Sequence, residues 1–215
     1  MNRSGKDKDP DELDELALAL VRRLWRDTNV LALDAACGLG GQAVRLAKAG
    51  AQVVAFDSAD LSAEVQARAV EARVADRITF YQGDLRRGGD ILRDRRFHVI
   101  CCQRAIHYLR WSDAVTVVRN FTQLLHPGGK LFLSACGLYS ELRDGYPWLE
   151  ARETRYAPLS ESMRAKHGIQ GDICLYTEDD LAELFREGGL SKETIFRSRF
   201  GNVKGVAVKE FGRQP

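Results

Sequence analysis

The stretch Val30-Leu31-Ala32-Leu33-Asp34-Ala35-Ala36-Cys37-Gly38-Leu39-Gly40-Gly41 settles which fold this chain takes. Its first six residues, VLALDA, are a short apolar run that reads as a buried strand. A glycine-rich turn follows and leads into GQAVRLAKAG (41–50), which has helical spacing, with Gly50 placed to end the helix. Glycines at such a turn let the backbone reverse tightly and approach a ligand closely. A strand that passes through glycines directly into a helix is the opening of an open α/β sheet, where ligands bind at the carboxyl ends of the strands.

Working outward, the pattern repeats. QVVAFD (52–57) is a second buried strand, followed by a helix in LSAEVQARAVEARV (61–74) with Asp60 as its N-cap. RITFYQGD (77–84), FHVICCQ (97–103) and KLFLSAC (130–136) are the third, fourth and fifth strands. A helix over 112–125 precedes the fifth and stops before His126-Pro127-Gly128-Gly129. Upstream, Leu13, Leu16, Leu20 and Leu24 predict an amphipathic helix over 11–27. Near-continuous apolar strands alternating with helices mean a parallel sheet covered on both faces. Residues 137–175 break the alternation and are rich in aromatic and charged side chains. A helix from Thr177 to Phe185, capped by the threonine, comes next. ETIFRSRF and NVKGVAVKEF then read as two strands around Gly201-Asn202, an antiparallel hairpin. The expected fold is therefore α/β: a doubly wound, mostly parallel seven-stranded sheet with a C-terminal antiparallel hairpin and helices on both faces. Residues 1–10 are expected to be a flexible tail and 11–215 one domain, with 137–175 a substrate-side insertion or lid.

Composition narrows the function. The 215 residues are 45% hydrophobic and 29% charged, ordinary for a globular protein. A formal charge of +2 argues against coating long nucleic acid by charge alone. No apolar run is long enough to span a bilayer, and MNRSGKDKDPDELDE lacks the apolar core of a signal peptide, so a cytoplasmic location is expected. The five cysteines form no C-x-x-C pair, and Cys101 and Cys102 would point to opposite faces of a strand. Reduced thiols and no metal site are expected.

Gly38-x-Gly40-x-x-Ala43 also fits a dinucleotide fingerprint, in which a helix N-terminus holds a pyrophosphate. Asp34, four residues before Gly38, argues against phosphate and for a ligand with positive charge. S-adenosylmethionine has no phosphate and carries an ammonium and a sulfonium. Two more acids end successive strands. Asp57 can accept both hydroxyls of a ribose, and Asp84 can accept from an adenine amino group. Each acid alone could be a strand-end or helix-cap residue; three in sequence beside one glycine turn make a site.

Over residues 30–136, with the hairpin at 194–210, the chain resembles the class I S-adenosylmethionine-dependent methyltransferases. The resemblance implies that Asp34, Cys37, Gly38 and Gly40 surround the methionine part of the cofactor. It implies Asp57 with Ser58 at the ribose, and Asp84 with the Leu85 backbone at the adenine. The commonest turn of that family has a glycine where Ala36 stands here.

The fourth strand runs out in Cys101-Cys102-Gln103-Arg104-Ala105-Ile106-His107-Tyr108. This stretch resembles the mRNA cap guanine-N7 methyltransferases, which carry Cys-Gln-x-x-x-His-Tyr there. Gly38 to Gly41 and Asp57-Ser58-Ala59-Asp60-Leu61-Ser62 extend the likeness. Arg104 departs from it, since cap enzymes place an aromatic after the glutamine. The Asn/Lys-containing segment that those enzymes bring from before the first strand has no counterpart in ELDELALALVRRLW. The resemblance implies that Gln103, which also borders the cofactor, lines with His107 and Tyr108 a pocket for a flat polar ring. His107 is then either a proton acceptor for an N–H or O–H nucleophile or a residue that orients the substrate. Arg104 can hold a phosphate or carboxylate. Tyr139, Tyr146, Trp148 and Tyr156 belong to the irregular insertion, with Tyr139 and Trp148 candidates for substrate contact, either as a lid or packed down as a satellite core.

The expected function is methyl transfer from S-adenosylmethionine to a nitrogen or oxygen of a small heteroaromatic or nucleotide-like acceptor, without a metal. Cap or other RNA guanine-N7 methylation is the alternative of the same class. A dinucleotide-dependent oxidoreductase and a non-catalytic methyltransferase-like binding domain are the alternatives from other classes.

Overall fold

A computed structural model describes residues 10–147 and 151–211; the expected tail lies outside them except for Pro10, and so does Trp148. The chain opens with α1 (Glu12–Leu24). Asp11 caps it by accepting from Leu13 N (2.9 Å), while the Asp14 carboxylate accepts from Asp11 N (2.8 Å), so two of the orphan amides at the helix start are satisfied reciprocally. Leu13, Ala17, Leu20 and Val21 form the buried face, and Leu16, on the flank of that stripe, is exposed.

The strands are β1 (Leu31–Ala35), β2 (Gln52–Asp57), β3 (Ile78–Gln82), β4 (Phe97–Gln103), β5 (Leu125–Ala135), β6 (Ser191–Arg197) and β7 (Val203–Val208). They form one sheet in the order β3-β2-β1-β4-β5-β7-β6. The first five are parallel, and β7 is antiparallel to both β5 and β6. The interposed helices are α2 (Gly41–Lys48), α3 (Ser62–Glu71), α4 (Gly88–Ile91), α5 (Trp111–Leu124), α6 (Glu161–His167) and α7 (Glu178–Glu187). The expected seven-stranded α/β sheet with its closing hairpin is what the chain forms.

Details follow from local chemistry. Thr177 caps α7 as expected, reinforced by Asp180 reaching back to its amide. Asp60 stands two residues before α3, next to the N-cap position Leu61, where it accepts from Ser62 N (3.2 Å) and Ser62 Oγ (2.7 Å). Helices α1, α2 and α3 cover one face of the sheet and α5 and α7 the other, giving two apolar layers. Cys101 belongs to the first layer and Cys102 to the second, as alternation along a strand requires. Ordering runs outward in both directions from the β1/β4 pair, so the crevice at the topological switch point opens beyond Ala35 and Gln103.

The insertion packs as a satellite of its own. Leu138, Leu142, Tyr146, Leu159, Ile173 and Leu175 form a third buried cluster, and Tyr146 Oη donates to the Ile173 carbonyl (2.7 Å). A buried ion pair from Arg155 to Asp180 fastens the insertion to the first turn of α7. Among the described residues, no helix is long and apolar enough to cross a membrane.

Candidate functional site

The glycine turn after β1 is bonded to the end of β2. Cys37 N donates to the Phe56 carbonyl (3.0 Å) and Gly38 N to Asp57 Oδ2 (2.9 Å). The other oxygen of Asp57 accepts from Ala59 N (3.1 Å). One carboxylate thus fixes two turns at once, and lone pairs remain on both oxygens for further donors. Gly38 and Gly40 have φ of 52° and 79°, the left-handed region where a side chain is strained. Ala36 also sits there, at φ 60°, which explains why glycine suits that position. A Cβ on Gly40 would lie 3.1 Å from a Val65 methyl carbon. The Cys37 thiol, close by, is pushed up out of the range of ionisation by burial and by Asp34 and Asp57.

Asp34 is 4% exposed, and one of its oxygens, Oδ2, has no hydrogen-bond partner. Burial raises its pKa to about 7; the Ala43 amide in the first turn of α2 and the Arg45 guanidinium pull it down, while Asp14 and Asp57 push it up. Asp14 and Asp57 thus add negative charge around Asp34, and the Arg45 guanidinium offsets part of it. A buried carboxylate oxygen without a donor costs free energy until water or a ligand supplies one.

At the end of β3, Asp84 accepts from Arg86 N (2.9 Å), and Arg86 Nε lies 3.0 Å from each of its oxygens. The Arg86 guanidinium beside it holds its carboxyl below the usual range. Leu85 begins the 3₁₀ turn that Asp84 caps, so its N–H is a donor left over by the turn. Ser58 is exposed, and its carbonyl accepts from Gln82 Nε2 (3.1 Å).

On β4, Gln103 Nε2 donates to Asp14 Oδ1 on α1 (2.6 Å). Arg45 Nη2 stands 3.7 Å from the same Asp14 oxygen. Asp14 and Arg45 thus lie beside Gln103 in the candidate site, a position that no local sequence signal gives. In ELDEL, Asp14 looks like one more acid favouring a helix N-terminus, and nothing local marks it as buried.

Arg104 follows at φ 56°, with its amide 3.1 Å from both the carbonyl and the hydroxyl oxygen of Ser134. Its side chain is exposed and close enough to act electrostatically on His107 and Tyr108. His107 is 1% exposed, and its Nδ1 accepts from Cys136 N (3.4 Å), which places the ring proton on Nε2. Burial, with Arg104 adding to it, lowers its pKa to about 3, so the ring is neutral at physiological pH. Tyr108, 46% exposed, packs its ring at 4.3 Å from the imidazole. Tyr156 Oη, from the insertion, donates to the Tyr108 carbonyl (3.2 Å), and Cys174 N to the His107 carbonyl (2.8 Å). Tyr139 is turned elsewhere, with Arg197 lying 4.3 Å over its ring beside the hairpin. The structure thus gathers Asp34, Gly38, Asp57 and Gln103 at the strand ends and sets His107 against the tilted ring of Tyr108, while Tyr139 is occupied by β6.

Residues 32–129 match the profile of a family described as a methyltransferase domain. That stretch is thus similar to a methyltransferase domain. A cypemycin N-terminal methyltransferase from a Streptomyces species is 33% identical over 104 residues, covering 47% of this chain and 40% of that relative. The match therefore spans about two fifths of the curated relative's length. Solved structures share the whole fold. An S-adenosylmethionine-dependent methyltransferase from Clostridium acetobutylicum superimposes with a TM-score of 0.71 at 13% identity, covering 95% of this chain and 94% of that one. The 1,6-didemethyltoxoflavin-N1-methyltransferase of Burkholderia thailandensis, solved with its acceptor and S-adenosylhomocysteine, gives 0.67 at 18% identity, covering 93% and 79%. The chain thus shares the fold of these solved methyltransferases.

Proposed function

We propose that the chain binds S-adenosylmethionine at the ends of β1, β2 and β3 and transfers its methyl group to a nitrogen or oxygen of a small acceptor. The observation that carries this reading is the buried Asp34 carboxylate with an unmet oxygen, beside Asp57 and Asp14 and partly offset by Arg45. A cationic ligand lowers the energy of that arrangement, and a pyrophosphate would raise it. In this reading the Gly38–Gly40 turn admits the methionine part with Cys37 in its wall, Asp57 with Ser58 receives the ribose, and the Leu85 amide with Asp84 receives the adenine.

When bound, S-adenosylmethionine supplies a methyl carbon already activated by its sulfonium. The chain's own contribution is to hold the acceptor in line and exclude water. Neutral His107, with its proton on Nε2, supports an orienting role as a hydrogen-bond donor over proton removal. Tyr108 offers a ring face and Arg104 an exposed cation, which suits a flat heteroaromatic or nucleotide-like acceptor with an anionic group. The insertion forms one wall of that pocket through Tyr156.

The N-terminal methyltransferase relative and the N1-methyltransferase neighbour support a nitrogen acceptor, and O-methyltransferase neighbours support an oxygen one. Calorimetry with S-adenosylhomocysteine and, separately, NADH tests the cofactor. Binding of the first and not the second is expected, and the reverse would overturn the proposal. Transfer of labelled methyl to a panel of aromatic heterocycles, nucleotides, capped RNA and short peptides tests the acceptor.

A further inference from the structure

Asp34 pairs with Cys101 across β1 and β4, and Gln103 lies two residues beyond Cys101, so Asp34 and Gln103 stand on the same face of the sheet. Helix α1 covers that face and brings Asp14, 3% exposed, down to the strand ends. Both oxygens of Asp14 are engaged: Oδ2 by the Asp11 amide (2.8 Å) and Oδ1 by Gln103 Nε2 (2.6 Å), with the Arg45 guanidinium 3.7 Å from Oδ1. A carboxylate can only accept. Gln103 must therefore turn its amide nitrogen toward α1, and its carbonyl oxygen points away from the helix. That oxygen accepts no hydrogen bond from the described residues.

We infer that Asp14 is a positioning residue: it locks the Gln103 side chain so that Oε1 serves, together with the free oxygen of Asp34, as an acceptor for an ammonium group on the ligand. The inference rests on the cofactor reading above, in which the ammonium is that of the methionine end. The N-terminal helix is then more than a cover for the sheet. It decides whether the neighbouring amide presents an acceptor or a donor to the crevice.

Asp14→Asn tests this with little change of size. The new side chain can still accept from Asp11 N and keep the helix cap, but its NH₂ then faces Gln103. The glutamine amide must flip, presenting a donor where an acceptor stood. Two probes separate positioning from packing: S-adenosylhomocysteine, which carries the ammonium, and methylthioadenosine, which shares the nucleoside and thioether and lacks the amino-acid end. In calorimetry, Asp14→Asn is expected to weaken S-adenosylhomocysteine about tenfold while methylthioadenosine stays within about twofold. Asp14→Asn with Gln103→Glu should restore binding, because a carboxylate at 103 accepts from Asn on one side and offers its second oxygen to the crevice. Gln103→Leu leaves α1 and its cap intact and should reproduce the selective loss, which keeps the test open if Asp14→Asn fails to fold. Equal weakening of both probes, no weakening of S-adenosylhomocysteine, or no restoration by Gln103→Glu would overturn the inference. Wild-type protein that binds neither probe would overturn the cofactor reading itself, a result distinct from any difference among variants.

Discussion

The β1–β2 end of the sheet and the insertion over 137–175 are organised by different rules. At the β1–β2 end, backbone conformation sets the shape of the turn: Gly38 and Gly40 adopt left-handed φ, and Asp57 at the end of β2 holds Gly38 N at 2.9 Å. The insertion instead closes through partners far apart in the chain. Tyr146 meets Ile173, and Arg155 meets Asp180 on α7. The first region takes its shape from backbone conformation, which the glycine turn encodes. The second takes its shape from side-chain packing, which no short motif encodes.

The largest effect expected from this contrast is on stability. Asp180→Ala leaves the Arg155 guanidinium buried without its carboxylate and removes the reciprocal cap of α7. A loss of about 3–5 kcal/mol is expected in urea unfolding, or as increased hydrogen exchange confined to 137–175. Affinity for S-adenosylhomocysteine should survive where the protein stays folded. A matching fall in affinity would mean that the two regions are not independent.

Next comes Gly38→Val. A β-branched residue at φ 52° is strained, and its methyl groups enter the space where the backbone meets the ligand. Binding of S-adenosylhomocysteine should fall by about a hundredfold, or ~2.7 kcal/mol, with near-native circular dichroism. Normal affinity would remove the turn from the site.

A smaller effect tests charge. The Asp34 pKa is raised to about 7 by burial, above its value in the unfolded chain, so the folded state holds this proton more tightly than the unfolded one. Stability from this group is therefore present at low pH and is lost as pH rises toward 7. A cationic ligand favours the ionised form, so cofactor affinity should increase about tenfold from pH 6 to pH 8, with release of up to one proton at the acid end. Asp34→Asn should abolish that dependence. Affinity independent of pH in wild type would place the cation elsewhere.

The smallest expected effect is an absence of change in shape. His107 has its pKa lowered to about 3, so with saturating cofactor it contributes no inflection to kcat/KM between pH 6 and pH 8. His107→Ala should lower turnover while leaving the shape of the profile unaltered. Loss of a wild-type inflection near neutrality in that variant would restore the role of proton acceptor.

The succession of strands and helices, the glycine turn and the two acids near the ends of β2 and β3 were legible in the chain because each is a local pattern: apolar runs of strand length, helical spacing and glycines where a tight reversal is needed. Ala36 is instructive, since the turn keeps its left-handed geometry even where alanine replaces the usual glycine. Residue chemistry alone also favoured a cation over a phosphate, through Asp34. What those patterns could not convey was which polar groups would meet. Asp14 lies 89 residues from Gln103 and looks like a helix-start acid, yet folding buries it against that glutamine and Arg45. His107, readable as a base from its position after β4, becomes a neutral ring bonded to Cys136 N once the insertion closes over it. Local backbone preference is written in adjacent residues, whereas burial and hydrogen-bond partnership depend on which distant elements pack against a side chain, and here α1 and the insertion set both.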